Sequence, residues 1–466
     1  MTPKSIAARA TVLVLAVCLA TVSACSMKPL DAHVTTTTAG TTVAELPVTT
    51  VPVTPVEPVS DLNGYVWSLR APWADKLVPR ADGSEADQRL IDLYNEVRTL
   101  YNTVIDIDYS AGLTDYLAAT ASGVCYADVV GVKIHEIPAL CSNKALYSVE
   151  EPMLLNAGLN YNDKTRYYAD VSSLVRYDGR QWTLQIASEY EIPAFGQVLL
   201  CNGELLNRLG AGNLRNLLET GKWTASEYLR LAAAAVGLSE EQDIYGTGFV
   251  SPRAAYLAAG GRYVSLDGGT WSGELSADAS LYALNQLYEL TAPANGAYRG
   301  GGVEAQKLFA EGRLLFLWTG TNTIVSNPAL TASGSVLMMP VPSASAARRT
   351  PVTGYTGYGF MTNNANLVNS VTVLNALALR LNGDWLSAFI EQTGLDRDTA
   401  DIVQTYLLPS LTVTPDEFDT RLHQFFDESV YEPLLERDET PDAILKNAAS
   451  QLGVLLNRFS APTVNR

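Results

Sequence analysis

Glu189 and Glu191 are the pair in this chain whose types and spacing most directly suggest chemistry. Two positions apart on an extended strand, their side chains would point the same way, roughly 6–7 Å from each other. Carboxyl groups at about that separation can share the acid and nucleophile or base roles of glycoside hydrolysis. On a loop, the same pair is simply two solvated charges. Other catalytic signatures are missing, since the sequence has no GxSxG elbow, no HExxH and no SxxK. Gly221-Lys222-Trp223 lacks the upstream glycine and the following hydroxyl residue of a phosphate loop. Gly246-Thr247-Gly248 lacks the third glycine of a dinucleotide site and reads as a turn. Histidine occurs only at positions 33, 135 and 423, and there is no CxxC. A Cys/His metal site is therefore not expected, nor is a resident cofactor.

The elements that must position any site alternate between strand and helix. Gly64 to Leu69 suits a first strand, and residues 85–101 place Leu90, Leu93, Tyr94, Val97 and Tyr101 at helical spacing. Thr103 to Ile107 alternates as a second strand, residues 113–122 suit a helix, and Ala127 to Val132 is a short apolar strand. The order β-α-β-α-β predicts an α/β fold. Amphipathic helices are expected at Thr224–Gly237, Ala277–Leu290, Gly302–Ala310 and Leu367–Leu381. With 466 residues the chain is long enough for two or three packed units. No internal repeat or heptad series is present.

Charge and the first sixty residues say where the chain works. A formal net charge of -17 repels phosphate backbones and anionic lipid, which argues against nucleic acid as a partner. Lys4 and Arg9 precede an apolar stretch from Thr11 to Ala20 that is shorter than a membrane span. It ends in Val22-Ser23-Ala24-Cys25, which resembles a bacterial lipobox, with cleavage before Cys25 and acylation of its thiol. Residues 1–24 are thus read as a lipoprotein signal peptide and 25–60 as a tether rich in Thr, Pro and Val. The lipid would be the only membrane anchor, holding residues 61–466 outside the cell. Of the cysteines left, Cys125 and Cys141 could bridge in an exported protein, or all three with Cys201 could stay thiols.

An ordered series of local patterns carries more weight than any one of them. Ala121-Ser122-Gly123-Val124-Cys125-Tyr126-Ala127-Asp128-Val129-Val130 resembles the "ASG-x-x-P-DVV" strand entry of extracellular solute-binding proteins of ABC importers. Lys144 to Glu151 is similar to their "G-x-LYPLDE", Tyr177 to Trp182 to "YDGK-x-Y", and Val198 to Leu206 to "LLYYNKDLL". Glu219 to Leu229 resembles "E-x-GKWTWDEFL", and Tyr256 to Gly261 their glycine pair after a helix. Phe309 to Arg313, Met339 to Pro342 and Thr440 to Leu445 correspond to "F-x-x-GK", "M-x-P-x-P" and "S-x-EEAL". The shared order runs over residues 64–457.

This resemblance implies a two-lobed periplasmic-binding-protein-like fold of the second type, with crossovers forming a hinge. The expected bounds are 61–190 with 320–360 for one lobe and 191–319 with 361–466 for the other. It also implies a monomeric receptor for a small solute, a sugar above all, working with ABC permease subunits on other chains. A sugar needs flat aromatic faces and fixed polar groups, and 23 tyrosines against 10 phenylalanines favour rings with a polar tip. Trp67 ends the first strand, where ligands of such sheets gather. Asp128 matches the family's hydroxyl-accepting aspartate, while Glu189 and Tyr190 fall near the first crossover. Trp318 to Asn322 occupies the stretch where sugar binders carry a glycine and then a stacking tryptophan, although here Trp318 precedes Gly320. Tyr355 and Tyr358, set among glycines, lie where the chain recrosses and could close the cleft. Two other functions fit the same residues. One is an adhesion or signalling receptor without transport; the other is an exported hydrolase using Glu189 with Glu191 or Asp128.

Overall fold

In the computed structural model, residues 60–459 are described, apart from 81–82, 193–195, 212, 240–241, 268–269, 299, 344–348 and 353. Cys25, the export signal and nearly all of the tether lie outside the described residues.

The first lobe is built on β1 (Tyr65–Arg70), α1 (Glu85–Tyr101), β2 (Thr103–Asp108), α2 (Leu113–Ala121), β3 (Val129–Lys133) and β4 (Leu146–Tyr147). Helix α1 starts where Ser84 and Asp87 cap each other, the Asp87 N–H donating to Ser84 Oγ and the Ser84 N–H to the Asp87 carboxylate. Its buried stripe is Leu90, Tyr94, Val97 and Tyr101, and it stops at Asn102, whose φ of 45° no helix can continue. β1 pairs in parallel with β2 and β3.

The second lobe follows with β5 (Gln197–Asn202), α3 (Ala225–Val236), β6 (Tyr245–Gly248), α4 (Pro252–Ala258), β7 (Ala297–Tyr298), α5 (Gly302–Ala310), β8 (Leu314–Gly320) and β9 (Val336–Pro340). Its sheet order is β7-β6-β8-β5-β9, with β6, β7 and β8 parallel and β5 antiparallel to both neighbours. β8 is buried along nearly its whole length, as a central strand covered on both faces must be. The sequence reading took Gly246-Thr247-Gly248 for a turn, yet it lies inside strand β6. A Cβ at Gly246 would meet the Ala232 carbonyl at 2.0 Å, so the glycine is there to let α3 press onto the sheet.

The chain then returns to the first lobe. β10 (Thr356–Met361) inserts antiparallel between β3 and β4, giving the order β2-β1-β3-β10-β4. α6 (Leu367–Leu381) packs on α1 and β1, after which α7 (Trp385–Thr393) and α8 (Thr420–Phe426) rejoin the second lobe. The expected lobe bounds need correcting on two counts. Residues 336–340, expected in the first lobe, pair with β5 and belong to the second sheet, whereas 361–381, expected in the second lobe, belong to the first. The reason is pairing: β9 reads as one more apolar strand until its ladder partner β5 is known. Among the described residues no helix is long and apolar enough to cross a membrane.

Candidate functional site

In open parallel sheets, ligands collect beyond the carboxyl ends of the strands, because helix N-termini and loops meet there. In the first lobe those ends are Arg70, Asp108 and Lys133. Arg70 is tied down by Asp106 at 2.6 Å and by the Leu69 and Asp106 carbonyls, so it is a fixed part of the rim. Trp73 follows β1 and lies over Gly131 of β3. A Cβ at Gly131 would stand 2.8 Å from the indole, so only glycine admits the ring there. Tyr109 follows β2 with 54% of its surface exposed.

The second lobe offers Phe249, the residue directly after β6. Its φ is 53°, a left-handed conformation in which a bulky side chain is uncommon, and it is 50% exposed. The ring leans on Gly302 at the start of α5, where a Cβ would meet it at 2.8 Å. Strain of this kind at a strand end, holding an aromatic face toward solvent, is typical of functional sites. Phe249 is not among the residues expected from the sequence, because Gly246-Thr247-Gly248 before it reads as a turn and only the structure makes it the end of a strand. Ser251 then caps α4 and sets Arg253 in place.

The residues singled out from the sequence fall into two groups. Asn322, exposed in the helical turn after β8, lies at a carboxyl strand end. Glu189 is an exposed crossover residue held by Arg89 at 2.9 Å, and the Tyr190 hydroxyl donates to the Ala86 carbonyl. The others point into protein. Trp67 is 1% exposed and donates from its indole to the Ser370 carbonyl, since alternation along β1 turns it toward α6. Trp318 is fully buried in β8 and donates to the Tyr228 hydroxyl at 2.8 Å. Tyr355 is buried with its hydroxyl 3.0 Å from Thr183 Oγ1. Asp128 precedes β3 and therefore sits at the amino end of the strand. Its carboxylate is occupied by the Ser68 N–H and hydroxyl, the Tyr65 hydroxyl and the Asn364 amide. In this arrangement none of these four faces a cleft.

Tyr358 is likewise buried, and its hydroxyl donates to Glu191 Oε1 at 2.5 Å. Burial pushes the Glu191 carboxyl up to about 7 in spite of that hydrogen bond. Glu189 and Glu191 are thus not a facing pair. One is solvated and bound to arginine, and the other is turned inward onto a tyrosine.

Where the lobes touch, residues 134–136 after β3 pack against residues 415–418 of the second lobe, and the Tyr177 and Phe418 rings stand 5.4 Å apart. A buried ionic group lies in the second lobe at this seam. Arg253 contacts Asp416 and reaches Glu417 at 3.0 Å, with His423 Nε2 3.5 Å from Glu417. Asp416 is wholly buried. Burial pushes the Glu417 carboxyl up to about 7 and the His423 imidazole down to about 4, with the Arg253 charge adding to the latter. His423 is therefore neutral at physiological pH and its contacts are not ion pairs.

Cys125, Cys141 and Cys201 are free thiols. Among the described residues no group of three or more His, Cys, Asp or Glu could hold a metal ion.

No family model and no curated protein sequence matches this chain. Solved structures do. The GacH receptor of Streptomyces glaucescens, known unliganded and with acarbose, is 14% identical with a TM-score of 0.55, covering 84% of this chain and 99% of the receptor. The cyclic alpha-maltosyl-1,6-maltose binding protein of Arthrobacter globiformis is 14% identical with a TM-score of 0.58, covering 85% and 100%. UgpB of Mycobacterium tuberculosis, solved with glycerophosphocholine, is 15% identical with a TM-score of 0.57, covering 86% and 99%. This chain therefore has the two-lobed α/β fold of ABC-transporter solute-binding proteins over nearly all its described length.

Proposed function

We propose that this chain is a lipid-anchored extracellular receptor that captures a small solute, a carbohydrate, between its lobes and delivers it to an ABC importer. It is a binding protein without catalytic activity, working as a monomer, with permease subunits on other chains. The observation that carries the reading is Phe249, a half-exposed aromatic held at positive φ on a carboxyl strand end. On the first lobe Trp73 and Tyr109 follow the carboxyl ends of β1 and β2, and with Phe249 they would offer a sugar aromatic faces from both lobes. Asn322, Glu189 and Tyr190 would supply polar contacts at the rim. A structure of this fold in complex with acarbose and that of a cyclic alpha-maltosyl-1,6-maltose binding protein support a carbohydrate, while the glycerophosphocholine complex makes a polar phosphodiester the competing ligand. Cys25 and the segment after it would hold the receptor at the outer membrane face.

The deciding experiment is calorimetric titration with maltose, maltotetraose, acarbose and glycerophosphocholine, run on wild type and Phe249→Ala. Sugar binding that Phe249→Ala weakens supports the reading. Binding of glycerophosphocholine alone would refute the carbohydrate assignment, and unaltered sugar affinity in the variant would refute the site.

A further inference from the structure

The contact between the lobes covers more negative charge than positive. Residues 415–418 of the second lobe pack against residues 134–136 of the first, with Asp416 fully buried and Glu417 only 5% exposed. Arg253 contacts Asp416, reaches Glu417 Oε1 at 3.0 Å and donates to the Thr414 hydroxyl. The other carboxylate oxygen, Glu417 Oε2, stands 3.5 Å from His423 Nε2. Two carboxylates against one guanidinium would leave one negative charge unbalanced under cover, which is costly. A single proton on this group cancels it.

The other charged groups on the elements packed here are paired or exposed. Asp419, which caps α8, is paired with Arg421, and Glu136 accepts the Lys133 N–H at 2.8 Å. His135, on the first-lobe side, is exposed, and its charge bears on His423. Asp267 on residues 264–267, and Asp427 and Glu428 on residues 427–431, are exposed as well. Tyr263 and Tyr431 join their hydroxyls beside Arg253, whose guanidinium lies over the Tyr263 ring.

Two groups can hold the proton. Burial pushes the Glu417 carboxyl up to about 7 and the His423 imidazole down to about 4, so under cover the proton sits on Glu417. Once water reaches both, an ordinary carboxyl gives its proton up and an ordinary imidazole takes one between about pH 4.5 and 6.5.

We propose that closing the lobes moves one proton from His423 to Glu417. The Nε2–H bond breaks and an Oε2–H bond forms across the 3.5 Å contact, with no proton gained or lost overall. An imidazolium and a carboxylate in water become a neutral pair under cover. The raised carboxyl favours closure at low pH and loses that effect as pH rises through 7. The depressed imidazole favours closure at high pH and loses it as pH falls below about 6.5. The two effects cancel, so the lobe equilibrium is held nearly constant against pH. This inference concerns the lobe contact alone and does not depend on the ligand being a carbohydrate.

The test uses full-length protein without ligand. Nitrogen-15 labelling of histidine alone gives three side-chain signals, and His33→Gln and His135→Gln remove two of them, leaving His423. In wild type that signal should stay neutral from pH 7.5 down to 5. Small-angle scattering then follows the radius of gyration from pH 5 to 8 as a measure of lobe opening. Over that range the closing equilibrium of wild type should change by no more than about threefold. In Glu417→Gln, His423 titrates alone, and the lobes should shift about twentyfold toward open as pH falls. In His423→Gln, Glu417 titrates alone, and they should shift at least as far toward open as pH rises. The double variant should again be flat. Single variants that shift in the same direction, or that do not shift at all, overturn the proposal, as does a double variant that shifts like either single one. A wild-type His423 that takes its proton near about pH 6.5 also overturns it. That measurement needs no substitution at the seam, so it decides the matter even where a variant does not fold.

Discussion

The Tyr358 hydroxyl donates a 2.5 Å hydrogen bond to Glu191, tying a strand of the first sheet to the first crossover between the lobes. The Trp73 and Tyr358 rings lie 6.2 Å apart, so the rim of the candidate site abuts the same tyrosine. A carboxyl pushed up to about 7 binds its proton more tightly folded than unfolded. Its contribution is therefore most favourable below about pH 4.5 and is lost as pH rises toward 7. Glu191→Gln should gain stability relative to wild type across that window, by about 1–3 kcal/mol at pH 8. Urea midpoints at pH 4.5, 6 and 8 check this, and a difference that does not change with pH counts against the inward-turned carboxyl.

Phe249 separates binding from folding. Phe249→Gly relieves a left-handed backbone that costs a bulky residue about 1 kcal/mol, so its stability should match or exceed wild type. The lost ring face, ~60–80 Å² at about 25 cal/mol per Å², should weaken sugar binding about ten- to thirtyfold. Thermal unfolding and calorimetry on one preparation give both numbers. Lower stability with unchanged affinity would make Phe249 a packing residue.

Trp318 should behave in the opposite way. It is fully buried, stands edge to face with Tyr228 at 6.2 Å, and donates to that residue's hydroxyl. Trp318→Ala should cost about 3–5 kcal/mol of stability, with ligand affinity per folded molecule unaltered. A stable variant with impaired binding would return Trp318 to the site.

At the seam, Arg253 is the only charged cation contacting Asp416 and Glu417 at pH 7 among the described residues, since His423 is neutral there. Arg253→Met should cost about 3–5 kcal/mol at pH 8 by stranding buried charge. At pH 5.5 the cost should be smaller, because Glu417, pushed up to about 7, is then protonated. Equal losses at both pH values would show that the guanidinium matters through packing alone.

The anchor is tested by fractionation. Cys25→Ala should move the protein from the membrane fraction to the medium, or leave it as an unprocessed precursor. Mature wild-type protein that is wholly soluble with an unmodified N-terminus would exclude the lipid.

The local elements were legible because their causes are local. The stripe of Leu90, Tyr94, Val97 and Tyr101 lies within one stretch of chain, as does the short apolar run of β3. Their order implied an α/β fold, and the spaced motifs suggested two lobes. Which side chains face the cleft depends on facts that no stretch contains. Trp67 and Trp318 have the right chemistry for a sugar, but strand alternation and the helices packed on each sheet turn them inward. Asp128 lies at the amino end of its strand, whereas Phe249 follows the carboxyl end of β6, and only the parallel pairing of each sheet gathers the carboxyl ends of several strands on one side. The lobe assignment of residues 336–361 also hung on ladder partners more than a hundred residues away. Propensity acts between neighbours along the chain, while a binding face is made by contacts between segments that the chain brings together only on folding.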